Sequence, residues 1–263
     1  MRKAAWIFLA TSVMGCLVLA MVSINCGGSS GERPGGTGGA TSSGGTSTTS
    51  STSTGLDCSK AIAPGSQPGG TPGLVTDFTD WNSSKGQWGN AQGIYGAIYP
   101  YKDSLGSSMS AAVDTTTHAF HGTGSVVPSG YGGMGIGFSV CATVTSFTSV
   151  SFDIMGSSPG CRMDLQIKTY DQQPNNQNPP GSCDPNGSAG CYNFPAATNA
   201  ADLNTPIAAF TTVTIPLANV NNWSAANAAQ VIGLQWQWGG TNVDLDAGAG
   251  CAIDVYVTNV KFQ

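Results

Sequence analysis

Val231-Ile232-Gly233-Leu234-Gln235-Trp236-Gln237-Trp238 sends Leu234, Trp236 and Trp238 to one side and Gln235 and Gln237 to the other. A period of two residues belongs to a strand buried on one face only. The same period runs through Thr211 to Leu217 and Ala252 to Phe262, and upstream through Val150, Phe152 and Ile154 and through Met163, Leu165 and Ile167. Gly- and Asn-rich turns separate these stretches, and no apolar run of helical spacing follows residue 60. Short alternating strands joined by turn-rich loops predict an all-β fold, an antiparallel β-sandwich or jelly roll.

Ahead of those strands lies a different kind of chain. Arg2 and Lys3 followed by the apolar run Ala4 to Ile24 make residues 1–26 an export signal. Two cysteines compete to end it. Val13-Met14-Gly15-Cys16 has a small residue before Cys but would leave Leu17 to Ile24 on the mature chain. Ser23-Ile24-Asn25-Cys26 sits where the apolar run stops and is followed by Gly27-Gly28-Ser29-Ser30, so Cys26 is the expected lipidation site of a bacterial surface or outer-membrane lipoprotein. An uncleaved anchor, for which the run is long enough, and plain secretion stay open. Residues 27–56 are a Gly/Ser/Thr tract, too polar to pack, that serves as a flexible tether with a typical reach of roughly 30 Å. Residues 57–263 then form one domain, expected as a monomer. Charged residues make up 9% of the chain and the net charge is −5, which excludes the clustered basic surface that nucleic acid requires.

Beyond Cys16 and Cys26 the cysteines are Cys58, Cys141, Cys161, Cys183, Cys191 and Cys251. An even set in an exported chain predicts disulfides, and no CxxC or Cys/His spacing argues for zinc. Cys183 and Cys191 bracket the turn sequence Asp184-Pro185-Asn186-Gly187-Ser188-Ala189-Gly190 and close a local loop. With one further strand near Tyr192 to Ala196, strand directions bring Cys161 and Cys251 to one end of the sandwich and Cys58 and Cys141 to the other, and pair them so.

Gly130-Tyr131-Gly132-Gly133-Met134-Gly135-Ile136-Gly137-Phe138 resembles the glycine-rich strand of galactose-binding-like jelly rolls among non-catalytic carbohydrate-binding modules. Ile253-Asp254-Val255-Tyr256-Val257-Thr258-Asn259-Val260-Lys261-Phe262 is similar to their closing strand, and Thr148 to Ile154 and Ile232 to Trp236 fall between in the same order. The resemblance spans Leu74 to Gln263 and implies a disulfide-stapled module that binds polysaccharide or oligosaccharide without cleaving it. It requires no cofactor. Thr258 and Asn259 stand where acidic residues are usual in such folds, which weakens the case for a structural calcium; its ligands here would come from Asp77, Asp80 and the neighbourhood of Asn259, because hard oxygen donors suit that ion. Exposed Asp at a strand end is the plainer reading of those positions.

Strand parity turns Arg162, Asp164, Gln166, Lys168 and Tyr170 away from the core, together with Gln235 and Gln237 and, on the last strand, Asp254, Tyr256 and Thr258. Planar amide, carboxylate and guanidinium groups suit sugar hydroxyls, and an aromatic takes the C–H face of a ring. The expected ligand set is therefore Arg162, Asp164, Gln166, Tyr170, Gln235, Gln237, Asp254 and Tyr256, with Tyr170 and Tyr256 as platforms. The plain alternative is a solvated face whose charges protect strand edges. Trp236 and Trp238 share the parity of Leu234 and are read as core. Trp81, Trp88, Tyr95, Tyr99 and Tyr101 crowd a Gly/Asn-rich loop, Trp81 to Tyr101, that reads as a lid folded over the sandwich edge, with a second, exposed sugar platform as the alternative.

Catalysis lacks its usual parts. The one Glu, Glu32, is in the tether, leaving Asp pairs such as Asp164 with Asp254 for glycoside cleavage. His118, His121, Ser107 and Ser110 form no recognisable triad. Gly133-x-Gly135-x-Gly137 lies inside a strand pattern, so its glycines mark close approach and not a dinucleotide site. The expected function is polysaccharide binding without catalysis. An adhesion or protein-interaction domain of the cell envelope is the alternative, then a glycoside hydrolase or lyase-like enzyme.

Overall fold

The computed structural model describes residues 56–89, 92–177, 179–187, 190–239 and 250–263. The leader with Cys16 and Cys26, and the tract up to residue 55, lie outside the described residues.

The strands are β1 Leu74–Thr76, β2 Gln87–Gly89, β3 Tyr95–Lys102, β4 Ser108–Asp114, β5 Ala119–Val126, β6 Tyr131–Ala142, β7 Ser149–Ser157, β8 Met163–Thr169, β9 Ala196–Ala201, β10 Ile207–Pro216, β11 Val231–Gly239 and β12 Cys251–Phe262. They form two antiparallel sheets, β2-β3-β6-β11-β8-β9 and β10-β7-β12-β5-β4, with β1 paired to β12 in the second. The chain passes repeatedly from one sheet to the other, as in a jelly roll, and the only α-helix among the described residues is the single turn Ala225–Ala228.

The alternation found in the sequence sets what goes between the sheets. From the first sheet come Met134, Ile136 and Phe138, Met163, Leu165 and Ile167, and Leu234, Trp236 and Trp238, all essentially inaccessible. The second contributes Val150, Phe152 and Ile154 from β7, Phe120 from β5 and Val255 and Val257 from β12. Trp236 meets Phe152 edge-on at 5.5 Å between ring centroids and Phe120 at 6.4 Å, so one indole from β11 touches two strands of the facing sheet. The indole of Trp238 keeps a polar partner in the core, donating from Nε1 to Ser158 Oγ at 3.1 Å.

Disulfides join Cys58 to Cys141, Cys161 to Cys251 and Cys183 to Cys191. The second links the chain entering β8 to the first residue of β12 and so crosses from sheet to sheet. Such bridges fit an oxidising, exported setting. The strand expected near Tyr192 to Ala196 starts later, as β9 at Ala196.

The segment read as an aromatic lid is partly sheet. Trp88 is buried on β2, as a lid residue would be, but Tyr99 and Tyr101 stand on β3, an eight-residue strand paired along its length with β6. Its sequence hides the period because Ala97, Ile98 and Pro100 leave neither side polar.

Candidate functional site

The outer face of the first sheet is built in rows. Register places Asp164 of β8, Gln237 of β11, Gly133 of β6 and Tyr101 of β3 side by side. The next row is Gln166, Gln235, Gly135 and Tyr99, and the one after it Lys168, Gly233, Gly137 and Ala97. Two consecutive rows thus repeat one pattern: a polar group, a glutamine, a glycine and a tyrosine.

The glycines explain how the tyrosines lie. A Cβ on Gly133 would overlap the Tyr101 ring, and one on Gly135 would overlap the Tyr99 ring, whereas a Cβ on Gly137 would meet Tyr99 only at 3.6 Å, an ordinary contact. Bare backbone on β6 therefore lets both rings fold across that strand toward β11. There their hydroxyls find the glutamines: Tyr99 donates to Gln235 Oε1 at 3.1 Å and Tyr101 to Gln237 Oε1 at 3.4 Å. Gln235 Nε2 donates in turn to Gln166 Oε1, and Gln166 Nε2 to Gln237 Oε1 at 3.3 Å. One chain of hydrogen bonds ties three strands, and a network whose members are all held presents its remaining groups at fixed positions. Gln237 Nε2 donates to no protein acceptor among the described residues and faces outward as an open donor. Burial raises the Tyr99 and Tyr101 hydroxyl pKa values well above the ordinary tyrosine range, with the neighbouring Tyr99, Tyr131 and Asp164 adding to the effect at Tyr101. Both remain neutral donors.

At one end of the rows, Arg162 holds Asp164 with two parallel bonds, Nε to Oδ1 and Nη2 to Oδ2, each 2.8 Å. Asn199 N–H donates to the same carboxylate at 2.9 Å, which locks it. Tyr131 extends the aromatic row, 6.4 Å from Tyr101, and its backbone N–H donates to Asp103. Burial alone would raise the Asp103 pKa, but bonds from Ser107 and from the N–H groups of Tyr131, Leu105 and Ser107 outweigh it and hold this carboxyl below its usual range. At the other end Lys168 stands in register with the bare Gly233 and Gly137, and its Nζ lies 5.1 Å from the Tyr99 ring centre and 5.5 Å from that of Phe194. Tyr170 follows just beyond β8, its N–H on Gln230 O.

Of the eight residues expected to share one face, the structure brings together Arg162, Asp164, Gln166, Gln235 and Gln237, with Tyr170 at the margin. Asp254 and Tyr256 stand elsewhere. Both face outward as parity requires, but β12 belongs to the second sheet, so they look away on the opposite side of the sandwich. There Tyr256 stacks on His121 at 3.8 Å with the rings 4° from parallel, and His121 Nε2 lies 2.8 Å from Asp254 Oδ1. Parity within a strand fixes in or out; it does not say which sheet. Asp164 and Asp254, weighed above as a carboxylate pair, consequently cannot flank one glycosidic bond. Tyr131 is a site residue not assigned from sequence, and Tyr99 and Tyr101, weighed there as lid or second platform, stand on the same face as the glutamines.

Of the residues considered for calcium, Asp77 and Asn259 have protein partners of their own. The Asp77 carboxylate accepts from Thr79, Asp80 is exposed, and Asn259 Nδ2 donates to Asp153 Oδ2 at 3.0 Å. The Thr258 hydroxyl lies 2.8 Å from His118 O and 3.1 Å from Asp77 O. Among the described residues no three His, Cys, Asp or Glu side chains gather together.

No protein-family model matches the chain, and no curated protein is similar to it in sequence. Solved structures with partial likeness include a family 11 carbohydrate-binding module from Clostridium thermocellum in complex with a β-1,3-1,4-mixed-linked tetrasaccharide, at 12% identity over 77% of this chain and 96% of that one, with a TM-score of 0.40. The glycoside hydrolase domain of Endo-D from Streptococcus pneumoniae has 11% identity over 64% of this chain and 22% of that one, at 0.35. An exo-β-agarase has 11% identity over 73% of this chain and 25% of that one, at 0.37.

Proposed function

We propose that the outer face of the first sheet binds the sugar units of a polysaccharide and does not cleave them. The observation that carries this reading is the repeated row: Tyr99 with Gln235 and Gln166, and Tyr101 with Gln237 and Asp164, laid across a strand of glycines. Rings pressed onto bare backbone keep one face outward, which is what the apolar side of a pyranose needs. The amides and the bidentate Arg162–Asp164 pair supply fixed donors and acceptors beside them. Sugars combine those two surfaces in every residue. A face fixed before ligand arrives also orders few side chains on binding.

Tyr101→Ala and Gln235→Ala should each weaken glycan binding by about 1–3 kcal/mol, as truncation of an anchoring contact does, while the folded spectrum is kept. Calorimetric titration against a panel of polysaccharides measures this. Protein capture without glycan binding would favour the adhesion reading, and release of reducing ends would favour an enzyme. In the same reading the domain is held at a membrane through Cys26 and the tract that follows it. Cys26→Ser should then move the protein from the membrane to the soluble fraction; no movement would favour Cys16 or a spanning anchor.

A further inference from the structure

Lys168 is placed in a way that a face for neutral sugars does not require. Its register neighbours Gly233 and Gly137 carry no side chain, and its Nζ ends near the rings of Tyr99 and Phe194, 5.1 and 5.5 Å from their centres. Rings at this distance attract a cation through their faces but accept none of its hydrogen bonds. Among the described residues no ion pair includes Lys168, and its Nζ donates to no protein acceptor. The groups around it are Tyr99 from β3, Gln235 and bare Gly233 from β11, Phe194 from the chain before β9, and Gln166 and Tyr170 next to it on its own chain. None of these is a carboxylate. At the far end of the rows Arg162 is matched by Asp164, so Lys168 is the one uncompensated charge of this face among the described residues.

We infer that this face is a site for acidic glycans, in which the Lys168 ammonium receives a carboxylate or sulfate substituent while the amide and tyrosine rows take the neutral hydroxyls. The inference rests on the carbohydrate-binding reading above and names the class of polysaccharide. A hydroxyl would give the ammonium an acceptor. An anion gives it an acceptor and the missing charge, and the attraction gains strength where water is thin. Burial supplies that condition: it pushes the Lys168 pKa down to about 8, with no neighbouring carboxylate to hold it up.

The test uses the full-length protein with five probes: polygalacturonate and its carboxyl-reduced form, a sulfated galactan and its desulfated form, and a neutral mixed-linked β-glucan. The expected result is that one acidic polymer binds at least about 10-fold more tightly than its own neutral counterpart, a gap of about 1.4 kcal/mol. In Lys168→Met that ratio should fall to near one, whereas Lys168→Arg should retain it. Equal binding of an acidic polymer and its neutral partner overturns the inference, as does a ratio that Lys168→Met leaves intact. Binding of the β-glucan alone overturns it too, yet leaves the carbohydrate-binding reading standing. Failure of all five probes removes both.

Discussion

Gly135 and Gly137 differ by one turn of the pleat and by what stands above them. The Tyr99 ring occupies the space a Cβ would need at Gly135, but is merely in contact range at Gly137. Gly135→Ala should therefore lift Tyr99, break its bond to Gln235 and reduce glycan affinity by roughly tenfold or more, about 1.4 kcal/mol per decade. Gly137→Ala should change affinity much less, and titration of the two variants side by side measures the contrast. A second pair separates core from surface. Val255, fully buried between the sheets, should cost about 1–3 kcal/mol of stability as Val255→Ala through the cavity left behind. Tyr256→Ala removes a ring from the sheet opposite the proposed site, so denaturation midpoint and glycan affinity should both stay close to those of the unmodified protein.

At the level of elements, the alternating segments declared themselves because each has one apolar side: β7, β8, β11 and β12 put Phe152, Leu165, Trp236 and Val255 inward as their parity required. β3 was not legible. Tyr95-Gly96-Ala97-Ile98-Tyr99-Pro100-Tyr101 has apolar atoms on both sides, since a tyrosine that lies flat over glycine is packed on the outside of the sheet. Half of the candidate site follows from β8 and β11 alone. The tyrosine half depends on β3 pairing with β6, in which Tyr99 meets Gly135 and Tyr101 meets Gly133, contacts distant in sequence that no local period reports. Sheet membership of β12 is equally non-local, which is why Asp254 and Tyr256 could be turned outward correctly and still be assigned to the wrong side. The bridges also act on elements. In the chain-entropy view, losing Cys161–Cys251, 90 residues apart, should cost about 4–5 kcal/mol, against about 2–3 for Cys183–Cys191, 8 apart. Urea unfolding of the two paired Cys→Ala variants gives the comparison.

For the molecule as a whole, the half-buried Lys168, Tyr99 and Tyr101 make stability depend on alkaline pH in two opposing stages. Folded Lys168 gives up its proton near pH 8, while the unfolded chain holds it to about 10.5. Between those values the unfolded state binds more protons, so the Lys168 contribution makes stability rise with pH. Above about pH 10 the sign reverses: unfolded tyrosines ionise there, folded Tyr99 and Tyr101 do not, and stability falls. Urea midpoints at pH 7.5, 9.5 and 11 should pass through a maximum, and Lys168→Met should remove the rising limb while leaving the fall.

If the proposed tether and binding face hold, the Cys58–Cys141 bridge would set how the domain carries load. Cys58 stands at the entry to the domain, and its partner lies near the end of β6, the strand whose glycines floor the proposed site. A pull applied at Cys58 against a polymer held on that face passes covalently into β6 and reaches the ligand without first shearing the short β1–β12 pairing. In the proposed reading, tension and grip would share one strand, with the three-residue β1 ladder outside the line of force.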